Sequence, residues 1–392
     1  MYLDYTTEQY ELRDQLRVYF AEVMREPAVD PTDRVAQRAR YRAITRRLGA
    51  DGWLGIGWPR EYGGQGRSSL EQFIFFDEAQ RAGVPVPTIA LNTVGPTLMH
   101  FGSEEQKQYY LPRIIAGLID FSIGYTEPSA GTDLASLATR AVRRDDVYVV
   151  NGNKIFTTGG EISDYIWLAV RTDVDAPKHK GISILIVPTT SAGFSVTPIH
   201  TMMARSRPTT ATYYNDVEVP VANRVGEENA GWRLITTQLN HERVAMAAYG
   251  GLALQLLDDV RAWAARTPYG DGHLFDQNWV RLVLAGVDAR LEAMKLLNWQ
   301  MAWAVGDGSL APAGASAAKV YSTETVIESI RALLDLVGPA GYLTAAAQDA
   351  PLGGRLESAY REVVVGTFGG GNNDIQREII ATAGLHMPRA PR

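Results

Sequence analysis

The 392 residues are more than one simple core accommodates, so two or three packed domains are expected. Apolar residues at 46% and charged residues at 21% fit a soluble globular chain, and a net charge of −6 with a pI of about 5.6 leaves no basic stripe for phosphates, which argues against a nucleic-acid protein. The absence of cysteine excludes disulfides, a thiolate nucleophile and Cys-ligated zinc or iron–sulfur sites, and six scattered histidines without H-E-x-x-H spacing give no reason to expect a metal.

The opening Met1–Glu8 lacks a basic run before an apolar stretch, and no apolar run approaches ~20 residues. A cytoplasmic protein without signal peptide or membrane span is therefore expected. Residues 1–118 read as helical. Thr6 or Thr7 caps a helix through Leu12, Leu16, Tyr19, Phe20 and Val23, and helices follow at Val35–Leu48, Leu70–Arg81, Ile89–His100 and Glu104–Ala116. Trp53–Arg67, rich in Gly, Trp and Pro, is a shaped loop. From 119 to 227 the texture is β-rich, with strands at Phe121–Tyr125, Thr139–Arg144, Tyr148–Phe156, Tyr165–Arg171, Ile182–Pro188, Phe194–Pro198 and Ala211–Val219. Asn151-Gly152 reads as a hairpin turn. The close spacing suggests a sandwich or barrel, and the lack of G-x-G-x-x-G behind a strand argues against a Rossmann site. From 228 to 392 helices return at Trp232–Ala265, Gln277–Val305, Ala313–Leu336, Gly353–Val364 and Asp374–Ala383, and three long apolar-striped helices predict an antiparallel bundle.

Four places could carry chemistry. Glu242 shares a helical stripe with Ile235, Leu239, Met246 and Tyr249. A carboxylate there is costly unless paired or used, and desolvation would raise its pKa toward that of a general base. The plainer reading is a structural ion pair, with Arg243 adjacent. Phe368–Asp374 has three glycines before a helix, which Asn373 with Gln376 could cap; its free amides suit an anion or oxyanion, and the plainer reading is an ordinary loop. The polar segments Tyr125–Asp133 and Asn151–Gly159 could hold a planar heteroaromatic ligand or be simple turns.

Together and in order, these pieces make the chain resemble the acyl-CoA dehydrogenases over nearly its whole length. The resemblance is carried by Tyr125–Asp133, Asn151–Gly159, Tyr214–Pro220, Val225–Trp232 and Asp374–Ile380. His179–Ile186, Thr236–Arg243 and Phe368–Gly371 resemble the bacterial subgroup that oxidises steroid side-chain CoA thioesters. The resemblance implies an α+β fold: an N-terminal helical domain (1–118), a central β-barrel or sandwich domain (119–227) and a C-terminal four-helix bundle (228–392). It implies FAD, with Tyr125, Thr126, Thr132, Phe156 and Thr158 lining the flavin. Arg266 and Gln277 loosely match residues that grip the FAD of an adjacent subunit. It implies α,β-dehydrogenation of an acyl-CoA, of steroid side-chain or short branched type, with electrons passing to an electron-transfer flavoprotein.

Two departures from the family pattern matter. Gly370 stands where most members carry the base, and a smaller set places a glutamate where Glu242 stands. The resemblance thus makes Glu242 the base, Arg243 its supporting arginine and the Gly370 N–H a donor to the thioester carbonyl. Asp335–Tyr342 replaces a glycine-rich segment that contacts FAD across the subunit interface, and Asp335 would repel a pyrophosphate. A second acyl-CoA dehydrogenase-like subunit in an α2β2 tetramer is therefore expected, with a homo-oligomer as the alternative. A non-catalytic structural subunit, or a flavin oxidase or monooxygenase on the same fold, are the competing readings. Glu242 argues against the former; Thr158 and the Glu242–Arg243 pair argue against the latter.

Overall fold

The structure, a computed structural model, describes residues 4–25, 29–30, 33–203, 208–246 and 250–388, with side chains left aside over 239–246. Helix α1 (Thr7–Val23) begins at a capping box in which Thr6 and Gln9 exchange hydrogen bonds, and it buries Leu12, Leu16, Phe20 and Val23 on one stripe. Helices α2 (Arg34–Ala50), α3 (Ser69–Arg81), α4 (Gly95–Phe101) and α5 (Glu104–Ile115) complete the N-terminal layer. Ser68 and Ser103 make the same reciprocal cap for α3 and α5. The helix expected over Ile89–His100 is a wide π-type turn (Ala90–Val94) running into α4. Pro96 in the first turn of α4 has no N–H to continue a regular ladder. The Trp53–Arg67 loop contains two 3-10 turns and anchors on Trp58, whose Nε1 donates to the Leu91 carbonyl at 3.1 Å. Gly95 lies flat on the Trp58 ring, and a Cβ there would come within 2.1 Å of it.

The strands are β1 (Phe121–Gly124), β2 (Arg140–Arg144), β3 (Val147–Thr158), β4 (Tyr165–Arg171), β5 (Ile182–Pro188), β6 (Phe194–Pro198), β7 (Thr209–Pro220) and β8 (Arg224–Val225). They join in the order β6-β7-β3-β2-β4-β5-β8, and β1 pairs in parallel with β4. The sheet folds back on itself: Tyr148 and Val150 of β3 and Tyr214 of β7 share one buried cluster with Ile166, Leu168 and Leu185 of β4 and β5. The alternate residues Trp167, Ala169, Ile184 and Ile186 face the helical core instead. Both faces of β4 and β5 are thus buried, which is why they read as unbroken apolar runs rather than alternating ones.

The turn expected at Asn151-Gly152 is not a turn. β3 runs straight through it, with a register shift against β7 between Val150 and Gly152. The hairpin turn from β2 into β3 falls at Asp145-Asp146, where Asp145 has φ +52°. Long-range pairing with both β2 and β7 overrides the local preference, and the glycine accommodates a bulge, where its Cβ would meet Thr139 at 2.8 Å.

Helices α6 (Gly231–Met246), α7 (Gly250–Ala264), α8 (Asn278–Gly306) and α9 (Pro312–Val337) form the C-terminal bundle, and the small hairpin β9 (Pro268–Tyr269) and β10 (Gly272–His273) links α7 to α8. The single helix expected over Trp232–Ala265 is described as α6 and α7, with 247–249 outside the described residues. Helices α10 (Arg355–Val363) and α11 (Asn373–Ile379) pack back on α9. The bundle core is formed by residues such as Leu257, Val260, Leu284, Leu291, Ile330 and Leu333. No helix among the described residues is long and apolar enough to cross a membrane.

Candidate active site

The polar segments after β1 and at the end of β3 are brought side by side. The Ile155 N–H donates to the Thr126 carbonyl at 2.8 Å, and the Ser122 hydroxyl donates to the Thr158 carbonyl at 2.7 Å. This places Thr126 and Thr158, both half-buried, on one rim. Their hydroxyls make no hydrogen bond among the described residues. Between them Phe156 stands at a second irregularity of the β3–β7 ladder, with φ +60° and 58% of its surface exposed. A phenylalanine in the left-handed region is costly and persists only where the surrounding structure imposes it.

A buried ion pair locks these segments together. Lys154, fully buried on β3, donates from Nζ to Glu127 Oε1 at 2.7 Å and to the Tyr125 carbonyl at 3.0 Å. The Glu127 carboxylate also accepts the Ala138 and Thr139 N–H groups at 2.7 and 2.8 Å. Burial pushes the Glu127 carboxyl up, but the Lys154 charge and these donors more than offset it and hold the group below the usual carboxylate range. Burial pulls Lys154 down to about 8, with Glu127 pulling it back up. The two charges answer each other, and backbone groups add further hydrogen bonds to both, as a buried pair requires.

The Tyr125 ring turns inward. Its hydroxyl donates to Gln238 Oε1 of α6 at 2.5 Å, and Trp167 Nε1 lies 3.1 Å from both oxygens. The indole N–H can only donate, so it fixes the carboxamide with its oxygen toward Trp167. Gln238 is wholly buried, and its Nε2 has no hydrogen-bond partner among the described residues. Gln238→Leu is expected to remove the acceptor for the Tyr125 hydroxyl and destabilise the protein by roughly 1–3 kcal/mol, read as a lower denaturation midpoint.

Glu242 lies one turn beyond Gln238 on the same face of the α6 backbone; the side chains of Glu242 and Arg243 are outside the described residues. Gly370 lies in the loop between α10 and α11, with φ +64° followed by +109° at Gly371. The cap expected from Asn373 belongs to Asn372, whose Oδ1 accepts the Asp374 N–H at 2.8 Å. Asn373 is buried and its Nδ2 donates to Thr323 Oγ1 and Glu324 Oε1 on α9.

The remaining candidates are more dispersed. Thr132 is exposed, two residues beyond the turn that closes at Glu127–Ala130. Arg266 and Gln277 sit on the α7–α8 connection, where the turn ending at Gln277 packs on α7 and α8. They are near each other in the fold but belong to the bundle rather than the Thr126–Thr158 rim. Glu127, Lys154, Trp167 and Gln238 were not singled out from sequence. A charged residue at a strand-interior position is a signal for Lys154, but its partner 27 residues earlier is visible only once the strands meet.

Residues 6–118, 122–217 and 229–385 match, in turn, the N-terminal, middle and C-terminal domains of acyl-CoA dehydrogenase. The chain belongs to the acyl-CoA dehydrogenase family. It is 51% identical to acyl-CoA dehydrogenase FadE26 and 49% identical to acyl-CoA dehydrogenase FadE29, both from Mycobacterium tuberculosis, over the whole of each chain. The solved Tcur3481-Tcur3483 steroid ACAD is 52% identical with a TM-score of 0.92, covering 100% of both chains. The ChsE4-ChsE5 complex from Mycobacterium tuberculosis is 51% identical with a TM-score of 0.91, again over 100% of both chains. These relatives set the dehydrogenase in the steroid-related subgroup. It is an FAD-dependent oxidoreductase acting on the CH–CH bond of an acyl-CoA. The rim fits that cofactor: two free hydroxyls and an exposed ring suit a flat heterocycle with polar edges.

Proposed function

We propose that Glu242 removes the α-proton of the acyl-CoA and that the Gly370 N–H donates to the thioester carbonyl as it becomes enolate-like. Bound FAD supplies the hydride acceptor for the β-carbon. The observation that carries this reading is the chemistry of the Phe368–Asn372 loop. It offers only glycines, an aromatic and an amide, so nothing in it takes a proton, while Gly370 and Gly371, both at positive φ, set no side chain of their own beside their backbone amides. The other carboxylate in the right chemistry is on α6, one turn from the buried Gln238 that touches Tyr125. An amide aimed at developing negative charge typically contributes about 10²–10³ in rate. Arg243 supports the base. Tyr125, Thr126, Thr132, Phe156 and Thr158 line the flavin, the threonine hydroxyls serving its polar edge and Phe156 packing on the ring. Arg266 and Gln277 reach the FAD of a neighbouring subunit. Domains divide at 118 and 227. The acyl group is a steroid side chain or a short branched chain, the electron acceptor is an electron-transfer flavoprotein, and the enzyme acts in the cytoplasm.

We further propose that this subunit pairs with a second, different acyl-CoA dehydrogenase-like subunit in an α2β2 tetramer. Two observations support it. Asp335 is exposed near the end of α9, its carboxylate met among the described residues by a long 3.4 Å contact from the Tyr342 hydroxyl, so a pyrophosphate there would meet negative charge. The outer face of α8 carries exposed Trp279, Leu282, Leu296 and Trp303, an apolar stripe suited to a subunit contact. Expressed alone, the chain is expected to carry substoichiometric flavin and to reach full occupancy when co-expressed with the partner. Full flavin absorbance in a homo-oligomer of this chain alone overturns the α2β2 proposal.

A further inference from the structure

The loop that holds Gly370 follows a backbone path open to glycine, and what fixes it is not its own sequence. Gly370 and Gly371 both have positive φ, and a Cβ on Gly371 would meet Gln376 Nε2 at 2.8 Å. The restraint comes from α9. Lys319, 5% exposed, donates from Nζ to the Gly371 carbonyl at 2.5 Å and to Asn373 Oδ1 at 2.6 Å. One turn on, Thr323 Oγ1 accepts from Asn373 Nδ2 at 3.1 Å, and one turn back the Ser316 hydroxyl donates to Gln376 Oε1 at 2.9 Å. Glu324 binds Asn373 Nδ2 and Arg377 Nη2 at 3.0 and 2.7 Å. Ser316, Lys319 and Thr323 are spaced three and four apart, so one face of a rigid bundle helix forms a polar rail for the loop and for α11.

Lys319 is the unusual member. A buried ammonium ordinarily lies against a carboxylate, yet both oxygens within reach are neutral. Burial lowers this amine to about 8, with Glu324 pulling it back up. An apolar residue would fill the space at lower desolvation cost. It could not hold a carbonyl whose neighbour is the proposed oxyanion donor.

We propose that Lys319 is a positioning residue for the dehydrogenation: by gripping the Gly371 carbonyl and the Asn373 carboxamide it fixes the 370–371 backbone so that the Gly370 N–H meets the thioester oxygen. The inference rests on the reading of Gly370 as that donor. A displacement of about 1 Å in such a contact typically costs on the order of 10²-fold in rate.

The test uses the flavin-loaded enzyme and acetoacetyl-CoA. The α-carbon of this thioester lies between two carbonyls and loses its proton readily, while its β-carbon, already a carbonyl, has no hydride to give. The pH midpoint of enolate formation, followed by absorbance, therefore reports stabilisation of the thioester oxyanion apart from turnover. In the wild type the bound midpoint is expected to lie below that of the free thioester. In Lys319→Met it is expected to rise by at least one pH unit, with kcat down tenfold or more, KM within threefold, and flavin content and melting temperature near wild type. A structural role alone would lower flavin content or melting temperature and leave the midpoint of the loaded fraction unmoved. A wild-type midpoint no lower than in water defeats the oxyanion-donor reading itself. A lowered wild-type midpoint that Lys319→Met leaves unchanged defeats only the role of the lysine. Should Lys319→Met fail to load flavin, Lys319→Gln, which keeps amide donors for the Gly371 carbonyl, is measured by the same readouts with a rise of about half a pH unit expected; a second failure to load shows that the lysine holds the fold and overturns the inference.

Discussion

Glu242→Gln is expected to lower turnover by about 10²–10⁴-fold while leaving the flavin absorbance and the melting temperature close to wild type. Glutamine keeps the size and hydrogen-bonding shape of glutamate but cannot accept a proton. The substitution therefore separates chemistry from packing. In the proposed mechanism α-proton removal and β-hydride loss are coupled, so the flavin of the variant should stay oxidised when acyl-CoA is added under nitrogen. Rapid mixing with single-turnover detection measures this directly. Reduction of the flavin at the wild-type rate sinks the assignment of the base. Glycine at position 370 makes the test sharp, because no second carboxylate in the Phe368–Asn372 loop can stand in.

The second large effect is structural. Glu127→Ala should destabilise the β domain by about 3–5 kcal/mol, because it strands the Lys154 ammonium in a fully buried site and removes the acceptor of two backbone amides. The loss should reach function as well. Lys154 would no longer hold the Tyr125 carbonyl, and the Thr126 rim, tied to Ile155, would shift with it. Lower flavin occupancy together with an earlier denaturant midpoint is the expected pair of results. The pH dependence follows from the direction of the Glu127 shift. Its folded-state pKa lies below the ordinary carboxylate value. Its contribution is therefore present above that ordinary value and is lost as pH falls through the depressed one. The gap in stability between wild type and Glu127→Ala should narrow in strong acid. A gap that is constant from neutral pH down to pH 2 would show that the carboxylate charge is not what holds the pair.

Much of the architecture was legible because local signals and tertiary demands agree. The cap at Thr6, the three-to-four spacing of Leu12, Leu16 and Phe20, and the apolar runs of β4 and β5 each state their element directly. The misreadings fall where long-range pairing outweighs local preference. Asn151-Gly152 has the composition of a hairpin turn, yet β3 is paired on both sides and absorbs it as a bulge. Asn373 has the composition of a cap, yet Lys319, Thr323 and Glu324 draw its side chain into the bundle, and Asn372 takes the cap.

The sequence by itself displayed the candidates, no cysteine and no metal-ligand spacing, a glycine loop before a helix and a glutamate on a helical stripe, and the family resemblance of its motifs implied the class of chemistry. Those are properties of residue type and local spacing, which a linear chain displays. Only the tertiary structure decided which groups stand together. Glu127 meets Lys154 across 27 residues, Tyr125 meets Gln238 across 113, and Lys319 meets Gly371 across 52. Buried polar groups must find partners, and the fold, not the neighbouring residues in the chain, supplies them.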